Sequence, residues 1–178
     1  LEGAGLQVGR YVVITDRQWR SGPDQVLRDV GGLGLPVFVK PARAGSSLGI
    51  VKVGSADELR AAIESARKHD PRIIVEAAVR GAREIECGVL GGPAGAPSAS
   101  RCAEIIVNER HDFYDFEAKY LDDSATLVVP AELPEGIEAR VQEMAVRAFD
   151  ALACDGLARV DFFVTADGEV VLNEVNTM

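Results

Sequence analysis

Short runs of β-branched and aromatic residues recur along this chain and predict its strands. Turn-forming or charged residues separate most of these runs. The runs are YVVIT (11–15), VFVK (37–40), IVKV (50–53), IIVE (73–76), EIECGVLG (84–91), AEIIV (103–107) and TLVVP (126–130). Residues 91–100, GGPAGAPSAS, predict a long and weakly ordered hairpin connection.

Three other segments carry helical signals. Residues 23–30 predict a short helix that a proline opens and Gly31-Gly32 closes. Ser55 and Glu58 have the spacing of a capping box ahead of a second helix. Apolar residues recur at helical spacing in the second and third helices: Leu59, Ala62, Ile63 and Ala66, then, after Pro134, Ile137, Val141, Met144, Ala145, Ala148, Phe149 and Leu152. Hairpins mixed with few helices predict an α+β fold, with a smaller lobe at residues 1–80 and a larger one at 81–178.

Residues 156–178, GLARVDFFVTADGEVVLNEVNTM, predict a β-hairpin. Asp167-Gly168 is a strong signal for a two-residue turn, in which both central residues have positive φ. That turn places four polar side chains on one face of the open end, in two opposing pairs: Arg159 with Asn176, and Asp161 with Glu174. The other face is predicted to carry Val160, Phe162, Val164, Val171 and Val175.

The pair Asp161 and Glu174 raises an electrostatic problem. Directly opposed residues have Cβ atoms about 4.5–5.5 Å apart, and like charges at that spacing are destabilising. One carboxylate is driven towards protonation unless a cation lies between the two. A hard divalent metal would remove the conflict. The alternative is two solvated acids, each paired with a nearby arginine.

Residues 40–49, KPARAGSSLG, resemble a cradle for phosphate. Small residues let backbone N–H groups approach an anion, and Lys40 supplies a positive charge. The segment is not a Walker loop, because GxxxxGK[ST] is absent and a strand follows, and it is not a GxGxxG fingerprint opening a helix. Between two antiparallel strands it is predicted to be a mobile lid over phosphates, with a plain hairpin loop as the alternative.

The charge balance narrows the choice of ligand. A net charge of -9 argues against a nucleic-acid surface, so any anionic ligand must meet local cations or a metal. Lys119 is the only lysine of the second predicted lobe and lies within HDFYDFEAKYLDD (111–123). It indicates a specific anionic partner there, and an exposed helical turn is the alternative for this segment.

Cysteine usage and hydropathy bear on location. The three cysteines, Cys87, Cys102 and Cys154, have no CxxC spacing, which favours neither a disulfide framework nor a zinc site. The sequence contains no apolar run near the roughly 18 residues of a membrane helix and no signal-peptide pattern. We therefore expect a protein of the reducing cytoplasm that neither crosses a membrane nor is exported.

Five motifs, in this order, resemble those of the ATP-grasp superfamily and specifically of the D-alanine–D-alanine ligases. They are VFVKPARAGSSLGI, IIVEAAVRG, REIECGVLG, FYDFEAKY and GLARVDFFVTADGEVVLNEVNTM, and together they span essentially all 178 residues. The resemblance implies a nucleotide enclosed by two α+β lobes with antiparallel sheets. The family's N-terminal domain, a further ATP-binding lysine and a Pro-Gly-Phe-Thr continuation are missing, so we expect the ATP-grasp portion of a longer ligase.

The resemblance also implies the residues that bind the nucleotide. Lys40 and Lys119 would contact the ATP phosphates. Glu76 and the backbone of Val79 would hold adenine. The segment VRGAREIE is one residue longer than expected after Glu76, which leaves both Glu84 and Glu86 open for the ribose, and Glu84 is preferred. The lid over the phosphates would include Ser46, Ser47 and Gly49.

Metal ligands and catalytic residues follow in the same way. Two magnesium ions, with manganese as an alternative, would bind Asp161, Glu174 and Asn176, since carboxylate and amide oxygens suit magnesium. Arg159 would face the oxyanion of the tetrahedral intermediate. Ser46 and Tyr120 would also touch the amino acids.

The implied reaction joins two D-alanine molecules through an acylphosphate at the expense of ATP, for peptidoglycan precursor synthesis. Tyr120, within EAKY, favours a dipeptide ligase over depsipeptide ligases. The alternatives are a D-alanine–D-lactate ligase, another ATP-grasp carboxylate–amine ligase and, for this portion alone, a nucleotide-binding module without turnover. We expect small-molecule substrates, no nucleic-acid or membrane partner, and a homodimer for the full-length enzyme.

Overall fold

The computed structural model of the protein describes residues 1–44, 48–92, 95–107 and 125–178. They form two antiparallel sheets with helices, which confirms the predicted α+β class. Two compact units are present: Gly9–Ala78, and Leu1–Val8 together with the described residues from Val79 onward. The predicted first lobe includes residues 1–8, but Leu6 is buried in the core of the second unit and Val8 forms a bridge to Leu172.

The first unit is a four-stranded antiparallel sheet with three helices on one face. Its strands lie in the order β1-β4-β2-β3 and are β1 (Tyr11–Thr15), β2 (Val37–Pro41), β3 (Val51–Val53) and β4 (Arg72–Ala77). The helices are α1 (Asp16–Ser21), α2 (Pro23–Gly31) and α3 (Leu59–Ala66).

Strand alternation decides which face of this sheet is covered. In β2, Val37 and Val39 are fully buried, whereas Phe38 and Lys40 lie on the opposite, half-buried face. The buried face packs against apolar side chains of the three helices: Trp19, Val26, Val30, Leu59, Ala62, Ile63 and Ala66. The other face therefore remains available for polar chemistry.

The helix capping boxes of this unit differ from the predicted ones. Helix α1 was not predicted, although Thr15 and Gln18 form a complete capping box that opens it, with the Thr15 N–H donating to Gln18 at 3.0 Å. The predicted box of Ser55 and Glu58 is only half formed. Glu58 accepts from the Ser55 N–H at 3.3 Å, but no side chain caps α3, which begins later, at Leu59.

The second unit is a five-stranded antiparallel sheet covered by one long helix. Its strands lie in the order β7-β6-β5-β8-β9 and are β5 (Arg83–Gly92), β6 (Gly95–Val107), β7 (Ala125–Val128), β8 (Gly156–Val164) and β9 (Val170–Thr177). The helix is α4 (Ile137–Ala151), and its buried side chains pack on the sheet: Val141, Met144, Ala145, Ala148 and Phe149. In the described part of the chain, no helix is long and apolar enough to cross a membrane.

The predicted weakly ordered connection at residues 91–100 is wrong for most of its length. β6 already begins at Gly95 and pairs with β5 through Leu90 and Ser98 and through Val89 and Ala99. Two register shifts interrupt this ladder, which lets strands rich in glycine and proline stay paired. Composition alone therefore understated the length of β6.

The β8–β9 hairpin confirms the predicted pairing at its open end by a different route. The loop has three residues, because Thr165 N–H bonds to Glu169 O at 3.0 Å, and within residues 165–169 only Gly168 has a positive φ, 82°. This shifts the register near the turn by one residue. A bulge at Asn173 then shifts it back, so that Asp161 faces Glu174 as predicted.

The same bulge corrects the predicted apolar face. Val171 pairs with Phe163 and does not join the core face of Phe162. Val170 and Leu172 take that place, with 0% and 2% of their surface exposed. The prediction for Val171 was wrong because a two-residue turn would have kept one register along the whole hairpin.

Candidate functional site

The open face of the second sheet gathers the predicted metal ligands and catalytic arginine. Asp161 on β8 lies between Glu86 on β5 and Glu174 on β9. Arg159, two residues earlier on β8, shares that face and is paired with Asn176. The three strands are hydrogen-bonded neighbours, so the sheet itself fixes these positions.

Arg159 and Asp161 form a two-point ion pair. Arg159 Nε donates to Asp161 Oδ1 at 2.8 Å, and Arg159 Nη2 donates to Oδ2 at 2.9 Å. Asn176 Nδ2 donates to the same Oδ2 at 3.0 Å, and Glu86 Oε1 lies 3.2 Å from Arg159 Nε. The pKa of Arg159 is raised, chiefly by its hydrogen bonds to Asp161 and further by the charges of Asp161, Glu86 and Glu174.

An arginine therefore offsets the charge of Asp161 in this structure, as in the second of the two sequence interpretations. The oxygen donors of Asp161, Glu174 and Asn176 nevertheless fit a magnesium ion by their chemistry. Among the described residues no group of three or more His, Cys, Asp or Glu side chains could hold a metal, and the predicted set has only two carboxylates. The metal assignment remains a prediction.

The first unit presents Lys40 and Glu76 on the face of its sheet that the helices leave open. Lys40 Nζ lies 2.6 Å from Glu76 Oε2, and the two side chains are 20% and 28% exposed. Glu76 is paired with Tyr11 on one side and Phe38 on the other. This face thus combines aromatic surface with a charged pair, which suits a ligand carrying both a ring and an anionic group.

Both ends of the predicted phosphate loop contact the segment 69–72, which is the turn before β4 and the first residue of that strand. At the first end, Ala42 N–H donates to Arg72 O at 2.9 Å, and Arg43 donates to Asp70 at 2.8 and 3.1 Å. At the second end, Gly49 has a φ of 76°, and a Cβ there would lie 2.8 Å from the His69 ring. Glycine is required at this position by conformation and by space.

Asp70 should contribute acid-sensitive stability. It is 4% exposed, and hydrogen bonds from Arg43 and then from the Arg72 N–H lower its pKa from 3.8 to about 2. A lowered pKa in the folded state stabilises the protein above the unfolded value, and the effect is lost as pH falls from 3.8 towards 2. In urea unfolding, the stability difference between the protein and Asp70→Asn should therefore shrink across that interval.

A control for the Asp70 measurement is Asp24→Asn. Asp24 pairs with Arg60 at 2.7 Å, but its side chain is 77% exposed, and pairs at such exposure contribute little. Asp24→Asn should change the unfolding midpoint only slightly at any pH. A stability difference for Asp70→Asn that stays constant from neutral pH to pH 2 would contradict the assignment.

The remaining predicted site residues are not among the residues described around Arg159 and Lys40. Ser46, Ser47, Lys119 and Tyr120 lie outside the described residues. Val79 follows β4 and is half-buried. Glu84 is described, and it shares the open face of β5 with Glu86, so the ribose assignment to Glu84 stays a prediction.

The described part of the second unit includes a groove beside Arg159 and a larger cavity elsewhere. A groove of about 370 Å³ borders Arg159 and is also lined by Glu86, Gly88, Ser100, Ala103 and Leu157. A larger cavity, of about 600 Å³, lies where β7 leads into α4, and none of its lining residues was predicted to be functional. The smaller groove is the better candidate for a substrate, because it lies next to the charged cluster that is formed together by Arg159, Asp161, Glu86 and Glu174.

A family model described as D-ala D-ala ligase C-terminus matches residues 1–178. The chain belongs to the D-alanine–D-alanine ligase family. Relatives include the D-alanine–D-alanine ligases of Pseudarthrobacter chlorophenolicus, 55% identical over 180 residues, and Streptomyces coelicolor, 56% identical over 178 residues. The alignments cover 99% and 98% of this chain but 47% and 45% of those ligases, so the chain spans about half their length.

Solved structures of the family share the fold. The VanG D-Ala:D-Ser ligase from Enterococcus faecalis matches with a TM-score of 0.82 and 40% identity, over 99% of this chain and 49% of that one. The D-alanine–D-alanine ligase from Coxiella burnetii matches with a TM-score of 0.78 and 35% identity, over 99% and 44%. The two antiparallel sheets with their helices are therefore an ATP-grasp fold.

One residue of the charged cluster, Glu86, was not predicted from the sequence to lie near Arg159. Glu86 was considered only for the ribose, yet it lies beside Asp161 and contacts Arg159. The signal was present in the alternation of REIECGVLG, in which Glu84 and Glu86 share one face of a strand. What the sequence did not show is that β8 pairs with β5 in the register that brings Glu86 to Asp161.

Proposed function

We propose that the full-length protein is an ATP-dependent ligase that joins two D-alanine molecules, for peptidoglycan precursor synthesis in the cytoplasm. The observation that carries the proposal is the arginine held by Asp161 on a paired strand, with Glu86, Glu174 and Asn176 on the neighbouring strands. The names of the sequence relatives support D-alanine as the substrate.

The proposed reaction has two steps. The carboxylate of the first D-alanine takes the γ-phosphoryl group of ATP, and ADP leaves. The amine of the second D-alanine then attacks the carbonyl carbon of the acylphosphate, and phosphate and a proton leave as the peptide bond forms. Phosphoryl transfer of this kind depends mainly on positioning and on charge stabilisation.

Arg159 supplies the charge stabilisation. A guanidinium has five N–H donors, and Asp161 uses two of those on Arg159. The other three can donate to the oxygen that becomes negative when the second amine attacks. Because Asp161 fixes the plane of the group beforehand, little reorganisation is needed at that moment.

Nucleotide and metal binding fall to other residues of the chain. Lys40 would meet the phosphates, which requires it to leave its ion pair with Glu76. Glu76 would then accept from the adenine amino group, and Glu84 would bind the ribose. Magnesium bound by Asp161, Glu174 and Asn176 would neutralise phosphate charge, and manganese is a chemically similar substitute.

A ligase assay of the full-length protein tests the proposal. With ATP, magnesium and D-alanine, we expect phosphate and D-alanyl-D-alanine in equal amounts. Phosphate release without dipeptide would contradict the proposed acceptor. ATP binding without phosphate release would instead identify a non-catalytic nucleotide-binding module.

A second candidate is D-alanine–D-serine ligation, which the 40% identity to the D-Ala:D-Ser ligase structure favours. D-Serine and D-lactate should each be assayed in competition with D-alanine as the second substrate. Preferential use of D-alanine supports the first proposal. Preference for D-serine or D-lactate would assign the protein to the corresponding variant ligase.

A further inference from the structure

Glu86 occupies a position from which it can orient Arg159. It belongs to β5, the central strand of the second sheet, which pairs with β6 on one side and β8 on the other. Its side chain is 15% exposed, and Oε1 lies 3.2 Å from Arg159 Nε. Pairing on both sides fixes the backbone of β5 at Glu86, and the low exposure of the side chain shows that it lies against other protein groups.

Arg159 is therefore held by two carboxylates. Asp161 lies closer, at 2.8 Å from Nε, and also binds Nη2. Glu86 approaches the same Nε, so neither acid blocks the two N–H groups of Nη1. The arrangement leaves one edge of the guanidinium directed away from both acids.

We propose that Glu86 is a positioning residue that keeps Arg159 in its productive orientation, an inference that rests on the proposed ligase function. Under that function Asp161 also binds a cation, and its oxygens are then shared between the cation and Arg159. Glu86 also lines the groove beside Arg159, but it is not one of the proposed metal ligands. It can therefore hold the guanidinium while Asp161 serves the metal.

The test uses Glu86→Ala and Glu86→Gln in the full-length ligase, with Glu104→Ala as the matched control. Glu104 is 14% exposed and pairs with Arg83 at 2.6 Å in the same sheet, so its loss has a similar structural effect away from Arg159. We expect Glu86→Ala to lower kcat about tenfold with an unchanged KM for ATP, an effect typical of one hydrogen-bond network. Glu86→Gln keeps an oxygen acceptor and should recover part of the loss.

Coupling to Arg159 separates positioning from a general structural role. In an Arg159→Lys background, Glu86→Ala should have almost no further effect on kcat, because the planar group that it orients is gone. Equal effects in both backgrounds, or a kcat no lower than that of Glu104→Ala, would overturn the proposal. A raised KM for ATP with normal kcat would instead make Glu86 the ribose ligand in place of Glu84.

A second measurement does not depend on catalysis. Urea unfolding should be measured for Glu86→Ala, for Arg159→Lys and for the double variant. The changes in the unfolding midpoint should not be additive, since the two side chains are in contact. If the midpoint changes of the two single variants simply added up in the double variant, the proposed interaction between Glu86 and Arg159 would be refuted. If the unmodified full-length protein made no dipeptide, the proposed function would fail, whereas non-additive unfolding would still show Glu86 holding Arg159.

Discussion

Arg159→Lys should lower kcat of the full-length ligase by roughly 10²–10³ with little change in ATP affinity. Lysine retains the positive charge but not the planar fork. In the structure, two N–H groups of Arg159 bind Asp161, and under the proposed function the others would donate to the developing oxyanion. A single ammonium group cannot do both. Steady-state kinetics with D-alanine, together with a separate titration of ATP binding, measure the effect.

Arg83→Lys provides a matched control for this prediction. Arg83 binds Glu104 through two hydrogen bonds, at 2.7 and 2.6 Å, and is 35% exposed, against 33% for Arg159. The Arg83→Lys variant should lose about as much stability as Arg159→Lys, while its kcat remains nearly unchanged. If Arg159→Lys turned over normally, or if ATP binding fell in parallel with kcat, Arg159 would be a charge-balancing residue and not an oxyanion ligand.

Much of the fold could be predicted because local pattern and tertiary burial agree. Each predicted run of β-branched residues became a strand. Within β2, alternation puts Val37 in the core and Lys40 on the open face. α4 was predicted from apolar spacing, and its predicted contacts Val141 and Phe149 are buried. These features need only the period of the sequence.

Apart from α1, whose capping box is local, the missed features depend on pairing between distant segments or on the length of a turn. β6 was predicted too short because Gly95 to Ser100 owe their strand conformation to the partner strand β5 and not to their own propensity. The turn at Asp167-Gly168 was assigned two residues, and only the compensating bulge at Asn173 made the pairing of the acids correct.

The site shows the same division. Sequence placed Asp161, Glu174, Arg159 and Asn176 on one face because they belong to one hairpin. It could not place Glu86 there, since that requires the register between β5 and β8. It also could not show that Arg159 turns along its own strand to bind Asp161, because alternation gives the face of a side chain but not its rotamer.

Asp161→Asn and Glu174→Gln should each lower magnesium-dependent ligase activity by orders of magnitude, yet only the first should weaken the fold. Opposed carboxylates alone predict no loss of stability from either amide. The structure changes this for Asp161, which accepts hydrogen bonds from Arg159 and Asn176. Removing its charge should cost about 1–3 kcal/mol in urea unfolding without magnesium. Glu174 is exposed, so Glu174→Gln should stay within about 0.5 kcal/mol.

The two readouts together distinguish a metal ligand from a partner of Arg159. If the residue is a metal ligand, its amide variant loses activity that higher magnesium concentrations partly restore. The reason is that the amide weakens binding of the ion without removing the oxygen. A residue that only holds Arg159 loses kcat equally at every magnesium concentration. Near-normal kinetics for Asp161→Asn at ordinary magnesium would rule out the metal assignment. If Glu174→Gln showed a loss that magnesium did not change, the carboxylate opposite Asp161 would be acting on Arg159 through its charge and not on a metal.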